Sequence, residues 1–130
     1  MTVFVDTSAL LAFLDADDAL HPRAVAGQAA IRGEPLVTHG YIVVETLALI
    51  RRRLGAQATA RFIDDMLPAL AVEDPDASFR DHAIRSWRAA LPTSMSFVDH
   101  VSFAFMRDRG LTRAWSLDAD FVTAGFELVS

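Results

Sequence analysis

The sequence predicts an α/β fold: a three-layer α/β/α sandwich around a mostly parallel sheet of about five strands. Three observations lead there. Short apolar segments alternate with amphipathic helical ones along the chain. No two-residue hairpin signal joins any two of the apolar segments, so crossovers must link the strands and set them parallel. Hydrophobic residues make up 52% of the 130, enough for a substantial core in one domain spanning 1–130.

Taken in order, "TVFV" reads as a first strand, followed by helix from Ser8 to about Asp15. "DADD" is a loop, and a second helix runs from Pro22 to Arg32, with proline suited to a first turn and Gly33 to a stop. "PLVT" is the second strand; after Gly40 a helix continues through Arg53 until Gly55 ends it. A further helix covers Gln57 to Leu67, and "LAVE" is the third strand. "PDASFRDHAIRSWRAAL" and "SFVDHVSFAFMRDRG" are the next two helices, the second capped by Ser96 and closed by Gly110. "TRAWSL" is the fourth strand, "DADFVTAG" a short helix and "FELV" the last strand.

Composition excludes several chemistries. Without cysteine there are no disulfides, thiolate metal sites or cysteine nucleophile, which fits a reducing, cytoplasmic setting. No apolar run reaches the ~18 residues that span a bilayer, and Asp6 interrupts the N-terminal apolar segment where a signal peptide would need continuity. A net charge of −5 argues against a general nucleic-acid binder held by a basic surface. Every basic residue is arginine, which suits phosphate recognition and equally fits an arginine- and alanine-rich composition.

The acids are placed suggestively. Asp6 follows the first strand, and Asp118 follows the fourth with Asp120 two residues on. Asp99 lies in the first turn of the helix before that strand. Glu45 lies early in the helix after the second. Singly, capping accounts for Asp6 and Asp118, and "SFVD" is nearly a capping box. Glu45 fits less well. The stripe Val43, Leu47, Ile50 and Leu54 is expected to face the core, which sets Glu45 nearly opposite, either paired with Arg52 or lining a cleft. Together, all four belong at the carboxyl edge of the sheet, where ligands of open parallel sheets bind. Four adjacent carboxylates repel unless a cation or protons neutralise them. Oxygen-only ligands point to Mg²⁺ or Mn²⁺, and such a site can polarise a phosphodiester for attack by water.

Four segments, "VFVDTSALLAF", "YIVVETLAL", "SFVDHVSFAFMRDRG" and "SLDADFVTAGFELV", carry a resemblance in their order and spacing. The chain resembles the PIN-domain ribonucleases, and more narrowly the VapC-type toxins of bacterial toxin–antitoxin pairs, from Val3 to Val129; Ala56 to Leu91 matches mainly in length and helix pattern. By position, Asp6, Glu45, Asp99 and Asp118 match the family's acidic quartet and Asp120 its additional acid. Thr7 or Ser8, and Ser116, match hydroxyl positions beside the site. The resemblance implies a Mg²⁺- or Mn²⁺-dependent endoribonuclease that cuts structured RNA such as tRNA or rRNA. It also implies inhibition by a cognate antitoxin and a homodimer. In that scheme Asp6 and Asp99 are the main metal ligands, Asp118 supports the metal, and Glu45 orients or deprotonates the attacking water. Arg51, Arg52 and Arg53 are the candidate RNA contacts, although the C-terminal dipole of their helix also accounts for them. The alternative is a catalytically silent PIN-like scaffold that binds a protein or RNA partner.

Other residues are read more plainly. The four histidines lack metal-ligand spacing; His39, at the end of the second strand, is placed to approach the cleft, but a turn or surface position is the favoured reading. Trp87 and Trp115 are assigned to packing. A phosphotransfer receiver needs a lysine, which is missing, and no phosphate-binding Gly-x-x-x-x-Gly-Lys occurs.

Overall fold

The computed structural model describes residues 1–129. Along the chain run β1 (Val3–Val5), α1 (Thr7–Leu14), α2 (His21–Ala30), β2 (Leu36–His39), α3 (Gly40–Arg53), α4 (Ala56–Arg61), β3 (Ala71–Glu73), α5 (Ala77–Ala89), α6 (Phe97–Asp108), β4 (Arg113–Trp115), α7 (Asp120–Thr123) and β5 (Glu127–Leu128). The expected alternation is present, with ends displaced by a few residues. The helix expected over 57–67 is not uniform. After Arg61 it widens into a π-helical turn at Phe62–Met66 and tightens into a 3₁₀ turn at Leu67–Ala69. Pro68 cannot extend an α-helical ladder, since it lacks an N–H and crowds the carbonyl four residues back.

All five strands pair in parallel, in the order β3-β2-β1-β4-β5. The chain steps outward from β1 through β2 to β3, then crosses back over both to lay β4 on the other side of β1. Connections therefore diverge between β1 and β4, where an open parallel sheet leaves a crevice beyond its carboxyl ends. Right-handed crossovers then put helices on both faces. Phe4 on one face packs against Phe105 of α6 and Phe121 of α7, with ring centroids 5.7 and 6.1 Å away. Trp115 on the other meets Phe13 of α1 edge-on at 5.6 Å and donates its indole N–H to Ala24 O of α2 at 3.1 Å. A Cβ on Gly27 would lie 2.8 Å from the Trp115 ring, so glycine lets α2 approach the sheet this closely.

Val3, Phe4 and Val5 are fully buried, and each side chain so buried stabilises the fold by about 1.5–3 kcal/mol. α3 keeps part of the expected core stripe, with Ile50 buried and Leu47 and Leu54 packed against the core, but its other buried residues are Ile42 and Thr46, and Val43 is not among them. Thr46 can face inward because its hydroxyl donates to Thr7 Oγ1 at 3.1 Å. Glu45 is therefore not opposite the core but at its margin, half-buried. Trp115 is buried as expected; Trp87 is half-buried and donates to Met95 O at 3.0 Å. Among the described residues, no helix is long and apolar enough to cross a membrane.

Candidate metal centre

The end of β1 delivers Asp6 into the crevice. Its backbone N–H donates to Trp115 O at 3.0 Å, which continues the β1–β4 pairing to the carboxylate itself. The side chain is only 4% exposed, and burial, the dominant influence, raises its pKa. Two serines oppose that effect. Ser8 Oγ donates to Asp6 Oδ2 at 2.6 Å and Ser116 Oγ donates to the same oxygen at 2.9 Å. Ser8 N–H adds a longer contact at 3.3 Å, so Asp6 also caps α1. All of these bonds land on Oδ2, leaving Oδ1 without a protein donor among the described residues.

The serines also set the next acid. Ser8 Oγ accepts from Leu117 N–H at 3.0 Å, and Ser116 Oγ accepts from Asp118 N–H at 3.1 Å. Asp118 Oδ1 in turn accepts from Asp120 N–H at 2.9 Å, a tight aspartate turn rather than the helix cap its position suggests. A relay of short bonds thus runs from Asp6 to Asp120. Thr7 plays a different part from the serines, since its hydroxyl is engaged by Thr46.

Glu45 and Asp99 arrive on helices. Ser96 caps α6 by accepting from Asp99 N–H at 3.1 Å, while the Asp99 carboxylate is turned into the cleft. Its pKa is pushed up to about 7, first by burial and then by the charges of Asp6, Asp118 and Glu45, in that order. A cleft of about 230 Å³ is lined by Asp6, Glu45, Asp99 and Asp118, together with Thr7 and Ser8. Carboxylate oxygens of Asp99, Asp118 and Asp120 lie within 4.8 Å of one another. Three hard oxygen donors at that spacing fit a divalent cation of the Mg²⁺ or Mn²⁺ type. Asp120, expected only as an additional acid, is a member of this cluster.

Of the three arginines, Arg53 alone lines the hollow of about 340 Å³ that adjoins the acids, with Leu11, Leu20 and Leu117. All three occupy the last turn of α3, and no ion pair joins Arg52 to Glu45 among the described residues. His39 is neither a turn nor a surface residue. It is fully buried at the end of β2, where its ring stands in for the usual capping side chain of α3 by accepting from Ile42 N–H at 3.4 Å. Its place at the end of the second strand is legible in the sequence, but a histidine is a rare cap, so its burial and capping role are not. Burial, with Arg109 second, pushes its pKa down to about 4 and keeps it neutral.

The family model for the PIN domain matches residues 3–127. The chain is 34% identical over 125 residues to the 23S rRNA-specific endonuclease VapC20 of Mycobacterium tuberculosis, covering 95% of each. It superposes on the crystal structure of that toxin, described as sarcin–ricin loop cleaving, with a TM-score of 0.81 over 95% of both chains. The fold also matches FitAcB from Neisseria gonorrhoeae, with a TM-score of 0.71 at 18% identity over all of this chain and 97% of that one. VapBC2 from Rickettsia felis, bound to a DNA fragment from its promoter, matches in fold with a TM-score of 0.69 at 10% identity over 98% of this chain and 97% of that one.

Proposed function

The chain belongs to the PIN-domain family, and from that premise we propose that it is a metal-dependent endoribonuclease, the toxin of a VapBC-like pair. What supports the reading above all is the convergence of Asp6, Glu45, Asp99 and Asp118 on one cleft at the strand switch, where burial first and the neighbouring acids second raise the Asp99 pKa to about 7. Carboxylates so crowded are costly to keep without a cation. The substrate class is structured RNA. Ribosomal RNA is the first to test, because the VapC20 relative is named for 23S rRNA.

The roles follow from placement. Asp99, Asp118 and Asp120 would hold the cation, and Asp6 would contribute the oxygen its serines leave free. When bound, Mg²⁺ or Mn²⁺ supplies positive charge to the scissile phosphodiester and to the departing oxygen. Glu45, lining the same cleft, orients the attacking water and accepts its proton as the water oxygen bonds to phosphorus and one ester P–O bond breaks. The departing oxygen takes up a proton from solvent. Arg53 beside the acids contacts the RNA backbone next to the cut. A cognate antitoxin that covers the cleft and a homodimer complete the proposal.

The test is incubation of the purified chain with a synthetic sarcin–ricin-loop hairpin and with a tRNA, in Mn²⁺, in Mg²⁺ or in EDTA. Mapped, metal-dependent cuts that disappear in Asp99→Asn are expected. Equal cleavage in EDTA, or full activity of Asp99→Asn, would overturn the assignment; metal binding with no cleavage of any RNA would favour a silent scaffold.

A further inference from the structure

We propose that His39 is a positioning residue that clasps the two acid-bearing helices, α3 and α6, and so sets Glu45 against Asp99. This rests on the reading of those two acids as parts of one metal-dependent site.

The imidazole has two fixed partners. Nδ1 accepts from Ile42 N–H at 3.4 Å, in the first turn of α3 and one turn before Glu45. Nε2 lies 2.9 Å from Ser102 Oγ, one turn after Asp99 on α6. Ser102 spends its own hydroxyl proton on Val98 O at 3.0 Å, so it must accept from Nε2–H. These bonds fix the neutral tautomer with the proton on Nε2. Neither partner is on the same helix as the other. α3 is tied to α1 through Thr46 and Thr7, whereas α6 packs on Phe4 across the sheet. The ring therefore joins opposite layers at the carboxyl edge of the sheet, the edge that carries the cleft.

Its surroundings hold it there. Phe4, Tyr41 and Phe105 surround the ring with centroids 5.8, 5.7 and 5.5 Å away, and His39 has no exposed surface. Among the described residues no other side-chain hydrogen bond joins α3 to α6. Asp6 and Asp118, by contrast, have the serine relay. Beside the ring contact of Tyr41 with Phe97 at 6.3 Å, which packs α3 on α6 without fixing direction, the directional link between the two acid-bearing helices is one side chain that touches neither acid.

The test compares His39→Asn, which keeps a capping acceptor but cannot reach Ser102, with Ser102→Ala, which leaves the α3 cap intact. Ile31→Ala, a core truncation at the end of α2, serves as a control for lost stability, all measured where circular dichroism shows each variant folded. Mn²⁺ affinity by calorimetry is expected to fall roughly tenfold in both His39→Asn and Ser102→Ala. RNA cleavage should slow by up to about 100-fold in kcat with KM unchanged. Ile31→Ala should keep both values, and the double variant should be no worse than the single ones. Mn²⁺ affinity within twofold of wild type in Ser102→Ala would overturn the clasp, even if His39→Asn fails to fold. A wild-type chain that binds Mn²⁺ but cuts no RNA would sink the nuclease proposal, while the affinity comparison would still decide the clasp. A wild-type chain that binds no divalent ion overturns both.

Discussion

The acids that follow strands and the acids that ride helices reach the same cleft by different means. Asp6 and Asp118 are held by bonds to neighbours in the turn and across the β1–β4 pair, each short and each made by Ser8, Ser116 or backbone. Glu45 and Asp99 have no such local brace. Only Ser96 offers the Asp99 carboxyl a hydrogen bond, too weak to offset burial and, after it, the charges of Asp6, Asp118 and Glu45. The strand-borne half is pre-organised, and the helix-borne half is set by packing and by whatever neutralises it. Catalytic sites gain from rigidity of the first kind and can be tuned through the second.

The largest effect should come from breaking the strand-borne half at its centre. Asp6→Asn keeps acceptors for both serines but removes the charge, and metal-dependent cleavage should fall on the order of 10³-fold. The same variant should melt a few degrees higher in EDTA at pH 8, because a buried carboxylate no longer needs to ionise. Activity near wild type would contradict the role given to Asp6. Next is Ser116→Ala, which removes a donor to Asp6 and the acceptor of Asp118 N–H together. Chemical denaturation should record a loss of about 1–3 kcal/mol, and cleavage should slow about 10- to 100-fold.

The helix-borne half is best probed by pH. A carboxyl whose folded pKa is raised favours the folded state while protonated. That contribution of Asp99 is complete below the unfolded value near 3.9 and is lost as pH rises through about 7. His39, held at about 4, acts in the opposite sense as pH falls from its ordinary value near 6.5, so the two offset one another in mild acid. The clean comparison is therefore pH 6.5 against 8. In EDTA the melting temperature should drop by about 3 °C across that interval, and saturating Mn²⁺ should flatten the drop because the cation keeps Asp99 ionised at both values. A slope unchanged by Mn²⁺ would remove Asp99 from the ligand set. The smallest effect belongs to the end of α3: Arg53→Ala should raise KM only about 2- to 5-fold and lower the salt dependence of RNA binding by about one unit of slope. Arg51→Ala and Arg52→Ala should change less.

This contrast also explains what could be read without coordinates. Asp6 and Asp118 were visible because each directly follows an apolar strand, and a parallel sheet puts all such ends on one edge. The alternation of elements, the caps at Ser96 and the termination at Gly33 and Gly55 are local chemistry and were legible too. What failed was long-range. The core face of α3 is shifted from its apolar stripe toward Ile42 and Thr46, because Thr46, polar by type, is buried through a bond to Thr7, 39 residues away. His39 was misplaced because its partner Ser102 lies 63 residues downstream. The break after Arg61 needed Pro68 to be weighed against a strong helical pattern. Composition and period report what a residue prefers, and these positions are set by what it meets.

One last consequence belongs to synthesis rather than to the finished molecule. Ser116 reaches Asp6 across 110 residues, and β4 lies between β1 and β5 although it is made long after β1 and β2. A growing chain of some hundred residues already carries Asp6, Glu45 and Asp99, yet it has neither the strand nor the serine that completes the relay. Contacts of such sequence separation close late in folding. The site is thus assembled by the closing steps of the chain's own production, and a ribosome-bound stub holds three of its acids without the frame that makes them a centre.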